Sequence, residues 1–207
     1  GFWFGLTKII KKHGSCKNEI PTFTLNPFRL TSQLQKQFAF LEEERSRLLQ
    51  HLKSLNSEQL NFHEPAKWSL NQVYAHLIAS EQLSVNYLKK KTQGLAQLPN
   101  TGFVEELKMT VLIISQRLPV KFKAPKVVVE NTPIYESAKQ IEEAWNNTRS
   151  DLAQVLNRFA EDQLNRKVYR HPLAGLLNIK QALRFFQEHM IHHQPQIKNL
   201  LRQIQKL

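Results

Sequence analysis

A single cysteine, Cys16, stands in 207 residues. It excludes an intramolecular disulfide framework and any cysteine-rich zinc site, and it agrees with a cytoplasmic location as the expectation. Glycine (6) and proline (9) are scarce, so a helical chain is expected rather than a sheet rich in tight turns. No apolar run is long enough to span a bilayer. The opening GFWFGLTKIIKKHG puts its apolar residues before its lysines, the reverse of a secretory signal. No membrane association is expected, and Phe2, Trp3 and Phe4 are expected to cap one end of the fold.

Acidic residues are also in the minority, 17 against 29 Lys and Arg, for a net charge of +12. Such an excess raises nucleic acid as a partner, so its distribution matters. The first 30 residues and residues 171–207 each carry an excess of four positive charges, whereas 31–60 and 135–170 are balanced. The remaining clusters, Lys89 to Lys91 and Lys121, Lys123 and Lys126, have no interleaved aromatics on which bases could stack. No zinc-finger or RNA-recognition signature is present, and no specific nucleic-acid partner is expected.

What is present is helical periodicity, in a chain whose 41% hydrophobic content suits one globular domain. Leu30, Leu34, Phe38, Leu41, Leu48 and Leu52 predict a first core helix from Pro27 to about Leu55. Ser57 to Leu60 reads as a single helical turn. Ser69 is a good N-cap for a second core helix, on which Val73, His76, Leu77, Ser80, Leu83 and Tyr87 trace one face. Phe103 to Leu118 predicts another helix with Leu107, Val111, Ile114 and Leu118 inward. Residues 120–133, flanked and interrupted by Pro119, Pro125 and Pro133, read as an extended crossover. Helical spacing returns from Pro133 to Phe159, and a last helix runs from the Asn178 cap to about Gln205, with a kink expected at Pro195. The fold class is therefore all-α: one helical domain at residues 27–207, preceded by an N-terminal extension at 1–26 and carrying a long irregular crossover loop. Glu161 to Asn165 echoes Ser57 to Asn61, each ahead of a capped helix that bears histidine, a weak sign of two related halves.

The last helix carries the most chemistry. His189 and His193 are four residues apart, on one helical face with Cβ atoms about 6 Å apart, a spacing at which two imidazoles can grip one metal ion. The best third ligand is His76, in mid-stripe on the second core helix. A solitary histidine on an apolar face is more often a hydrogen-bonded core residue, and a bare HxxxH is weak evidence. His192 projects about 100° away from His193 and is read as a neighbour rather than a ligand. Glu81 and Gln196 are candidates to hold the ligands, against the plainer reading of ordinary polarity. His171 is expected to fix the loop before the last helix.

The phrases W-S-L-N-Q-V-Y-A-H-L-I-A-S-E at Trp68 to Glu81, H-P-L-A-G at His171 to Gly175, and F-F-Q-E-H-M-I-H-H-Q-P-Q-I at Phe185 to Ile197 together resemble the DinB/YfiT-like superfamily, over roughly residues 28 to 205. The resemblance implies a four-helix bundle of up-and-down type whose metal site is built from one histidine of the second core helix and an HxxxH on the last, here His76, His189 and His193. Three imidazoles suit a first-row divalent metal, Zn²⁺ or Ni²⁺ ahead of Fe²⁺ or Mn²⁺, and leave coordination open to water or substrate. The family includes S-transferases and isomerases that use low-molecular-weight thiols. The function expected from the resemblance is thus thiol transfer to a small-molecule substrate, with metal-dependent hydrolysis or a non-catalytic bundle binding a small ligand or protein as alternatives. A homodimer is expected over a monomer.

Overall fold

Thr31 starts the first helix: its side chain accepts the amide of Leu34, and α1 runs Ser32–Gln50. The computed structural model describes residues 30–117, 128 and 132–206. The extension at 1–26, Pro27, Leu118 and nearly all of the expected crossover lie outside them. The described part of α1 is shorter than the expected span because the ladder tightens past Gln50, with His51, Leu52 and Leu55 donating to Leu48, Leu49 and Leu52. Leu52 stays buried nonetheless.

The single turn at 57–60 is α2, Ser57–Asn61, and α3 follows at Leu70–Lys91. Ser69 and Gln72 form a reciprocal capping box: the Ser69 hydroxyl accepts the Gln72 amide and the Gln72 side chain accepts the Ser69 amide. A 3₁₀ segment, Thr92–Gln97, turns the chain toward α4, Phe103–Arg117. Next come α5, Ala138–Leu156, and a 3₁₀ turn at Glu161–Gln163. A short hairpin of β1, Tyr169–His171, and β2, Gly175–Leu177, leads to α6, Ile179–Ile204. The hairpin pairs Tyr169 with Leu177 and His171 with Gly175, whose φ of 77° favours glycine.

Helices α1, α3, α5 and α6 make the four-helix core. Gln37 donates to the Lys180 carbonyl and Gln194 to Glu44, so α1 and α6 run the same way. Thr148 donates to Gln82 and Lys89 meets Asp151, so α5 runs with α3. Between these pairs the directions are opposed: on α1 and α5, Glu42 meets Arg149 while Arg45, further along α1, donates to Asn146, further back on α5. The long connection that includes α4 is what returns the chain to the end of the bundle from which α3 began.

One expected face is wrong. On α4, Leu107 (55% exposed), Val111 (58%) and Ile114 (55%) point outward, while Met109, Leu112 and Ile113 are buried. The helix is apolar on two opposite faces, so periodicity alone gave two answers. The inner one packs beside α6 and is held by ion pairs and hydrogen bonds, Arg117 to Glu188 and Gln181 to Glu106.

Pro195 lies inside the last helix, as the expected span to about Gln205 requires. The last helix runs through it without interruption. A mid-helix proline costs about 3 kcal/mol, whereas burying Ile197, Leu200 and Ile204 beyond it gains about 1.5–3 kcal/mol each. Burial wins. Among the described residues no helix is long and apolar enough to cross a membrane.

Candidate metal centre

Two capping boxes set the register of the helices that bear histidine. The Ser69 box begins α3 two turns before His76, and Asn178 with Gln181 repeats it at the start of α6, three turns before His189. The echo between 57–61 and 161–165 has a physical content too: Gln59 accepts the Asn56 amide and Gln163 the Ala160 amide.

Opposed α3 and α6 bring three imidazoles together. The ring centroids of His76, His189 and His193 form a nearly equilateral triangle, 5.2, 5.1 and 5.0 Å on its sides. One ligand nitrogen from each can be chosen so that all lie within 4.8 Å of one another. The Nε2 atoms of His76 and His189 are 3.3 Å apart. Two nitrogens on one tetrahedral ion at about 2.1 Å stand roughly 3.4 Å apart, so this pair is already at the separation an ion requires.

Burial makes the three rings neutral. It pushes His76 down to about 4, and His193 likewise to about 4, while His189 is held well below the ordinary histidine range by burial and then by His193 and His76. A neutral imidazole keeps one lone pair for a ligand. On His193 the choice of nitrogen is fixed, because Nδ1 donates to Gln196 Oε1 at 3.0 Å and leaves Nε2 free. The His189 ring stacks on Phe185, 5.6 Å between centroids and 10° between planes, and the edge of Trp68 meets His76 at 5.3 Å. His76 Nδ1 is buried without a hydrogen-bond partner. No acceptor therefore fixes the tautomer of this ring as Gln196 does for His193, and the fit to an ion rests on the Nε2 atoms of His76 and His189.

The nearby candidates divide cleanly. Gln196 touches His193, as described. His192 turns away, its Nδ1 donating to the Gln116 carbonyl at 2.6 Å and so tying α6 to α4. His171 fixes the hairpin, Nδ1 accepting the amides of Leu173 and Ala174 at 3.1 Å each. Glu81 does not hold a histidine. It meets Arg149 Nε at 2.9 Å and accepts from Trp145 Nε1 at 3.2 Å. Burial raises its pKa, with the Arg149 guanidinium pulling the other way. Beside it lies a cavity of about 10 Å³, lined by Leu77, Ser80, Glu81, Phe186, His189 and Met190, large enough for one water.

Arg149 was missed in the sequence. It is 3% exposed and also faces Met190 Sδ at 3.6 Å, so it backs the wall of that cavity. The available signal was its position one turn past Trp145 and before Leu152, a charge inside an apolar stripe.

A family model described as the DinB superfamily matches residues 41–197. The chain belongs to the DinB superfamily. This DinB-like chain is also similar to the uncharacterized protein YuaE of Bacillus subtilis (strain 168), 24% identical over 169 residues, which is 81% of this chain and 99% of that protein. No solved structure matches. Membership agrees with the all-α architecture and, with the three-histidine cluster, is compatible with metal binding.

Proposed function

We propose that this protein is a metal-dependent enzyme in which His76, His189 and His193 hold one divalent ion and a small-molecule substrate enters the coordination left open. The observation that carries the reading is the convergence of three neutral imidazoles, from two rigid opposed helices, within 4.8 Å. Nitrogen donors alone favour Zn²⁺ or Ni²⁺ over the harder Mn²⁺, with Fe²⁺ between. Held there, such an ion supplies Lewis-acid chemistry, lowering the pKa of a bound thiol or water.

The chain's own residues do the rest. Gln196 holds the His193 ring in the tautomer that turns Nε2 inward, and Phe185 fixes the plane of His189 by stacking. Trp68 and Phe186 supply apolar walls that exclude bulk water and strengthen every electrostatic contact inside. Transfer of a low-molecular-weight thiol to an electrophile is the leading reaction, supported by the resemblance to thiol-dependent DinB-like transferases. A second reading, hydrolysis, is favoured by the water-sized cavity between Glu81 and His189. A cytoplasmic location fits the thiol reading.

Turnover of an electrophile panel by the metal-loaded protein, with and without added thiol, separates the two. Thiol-dependent turnover supports transfer, and turnover in water alone supports hydrolysis. A protein that binds the metal stoichiometrically yet turns over nothing under either condition contradicts both and leaves a non-catalytic binding bundle.

A further inference from the structure

A groove of about 430 Å³ runs along the outside of the bundle between α1 and α6, on helix faces that the metal reading does not use. Its size falls within the range of about 300–1,000 Å³ that small-molecule sites occupy. The two helices run the same way, so levels on one can be matched to levels on the other. Gln194 Nε2 donates to Glu44 at 2.8 Å and bridges the groove near its middle. On the side toward the start of α1 stand Phe40, 38% exposed, and half-buried Ile191. On the other side Leu48 and Ile197 make a buried floor, rimmed by the exposed side chains of Arg47, His51 and Lys198. We propose that this groove binds one medium-chain fatty acid, its alkyl chain over Phe40 and Ile191 and its carboxylate at Lys198. The proposal does not rest on the metal site.

Charge selects the head group. Glu44 is 5% exposed and both of its oxygens are engaged, Oε1 by Arg47 and Oε2 by Gln194. The second end of the Arg47 guanidinium reaches Glu43, so that cation is matched within the chain. Among the described residues no carboxylate meets Lys198. One unmatched cation calls for one negative charge. His51 lies at the same end, and its ring can add a hydrogen bond to a carboxylate oxygen.

The layout selects the tail. Phe40 and Ile191 leave apolar surface open to water at the end away from Lys198, and each CH₂ that covers it gains up to about fourfold in affinity. An amphipathic helix would need apolar anchors along its whole length, and the Glu44 to Gln194 bridge interrupts them here. Nucleic acid would need several free cations side by side, where this groove presents one. A single-tailed monoanion satisfies both ends.

Isothermal titration of the full chain with decanoate, decanol and decylamine tests this. The wild type is expected to take up one equivalent of decanoate saturably and to prefer it to both neutral and cationic analogues, with octanoate about tenfold weaker. Lys198→Glu should weaken decanoate about tenfold or more and strengthen decylamine, because the charge at the head-group end is reversed. Phe40→Glu should weaken all of the ligands. Both side chains are exposed, so circular dichroism melting should be unchanged. Absence of saturable decanoate binding, including in a chain whose own residues already fill the groove, overturns the proposal. So does a preference for decanoate that survives Lys198→Glu, which would place the carboxylate elsewhere.

Discussion

Nε2 of His76 and Nε2 of His189 stand 3.3 Å apart, although 113 residues separate them and their helices run in opposite directions. Two imidazole nitrogens this close either share one proton or turn two lone pairs toward a common cation. His193 completes the triangle with a ring already fixed by Gln196. Burial that holds all three neutral at pH 7 also keeps their lone pairs available.

Gln196→Leu should weaken metal binding without unfolding the bundle. The substitution removes the acceptor that orients His193 Nδ1 and leaves all three rings in place. Losing such an orienting partner typically lowers affinity 10–100-fold, and competition against a chromophoric chelator measures it. Wild-type affinity in a normally folded variant would show that Gln196 does not position the ring.

Stability should fall with pH through His171. Burial lowers its pKa to about 4 in the fold from 6.5, because the ring is enclosed and its Nδ1 accepts two backbone amides. The unfolded chain therefore takes up the proton first. The contribution is fully present above pH 6.5 and is lost as pH falls toward 4, amounting to about 3 kcal/mol over that window. Asn offers an oxygen near the place of Nδ1 and does not titrate, so His171→Asn should show a shallower decline in urea unfolding of the metal-free protein between pH 7 and 5. Identical slopes would contradict this assignment.

Local signals were legible in the sequence, and pairings across the bundle were not. Ser69 and Asn178 announced the starts of α3 and α6 because a cap and its box lie within four residues. The HxxxH was equally local, and His76 was placed by its position in an apolar stripe. The inward side of α4 was not legible, because both of its faces are apolar and only the surroundings choose between them. The Arg149 to Glu81 pair joins residues 68 apart on different helices, and no spacing rule reaches that far.

That pair carries its own prediction. Arg149→Met should cost about 3–5 kcal/mol, because it leaves the Glu81 carboxylate buried without its cation, whereas the double variant Arg149→Met/Glu81→Gln should recover much of the loss. Chemical denaturation of the wild type, both single variants and the double variant gives the coupling. Additive losses would show that the two side chains act independently.

The central claim is tested most directly by elemental analysis of protein purified without a nickel column, comparing the wild type with His76→Ala, His189→Ala and His193→Ala. The account predicts close to one equivalent of a first-row divalent metal in the wild type, and its loss from each variant while helical content is retained. A folded wild type that carries no metal, and that takes up neither added Zn²⁺ nor Ni²⁺, would contradict it.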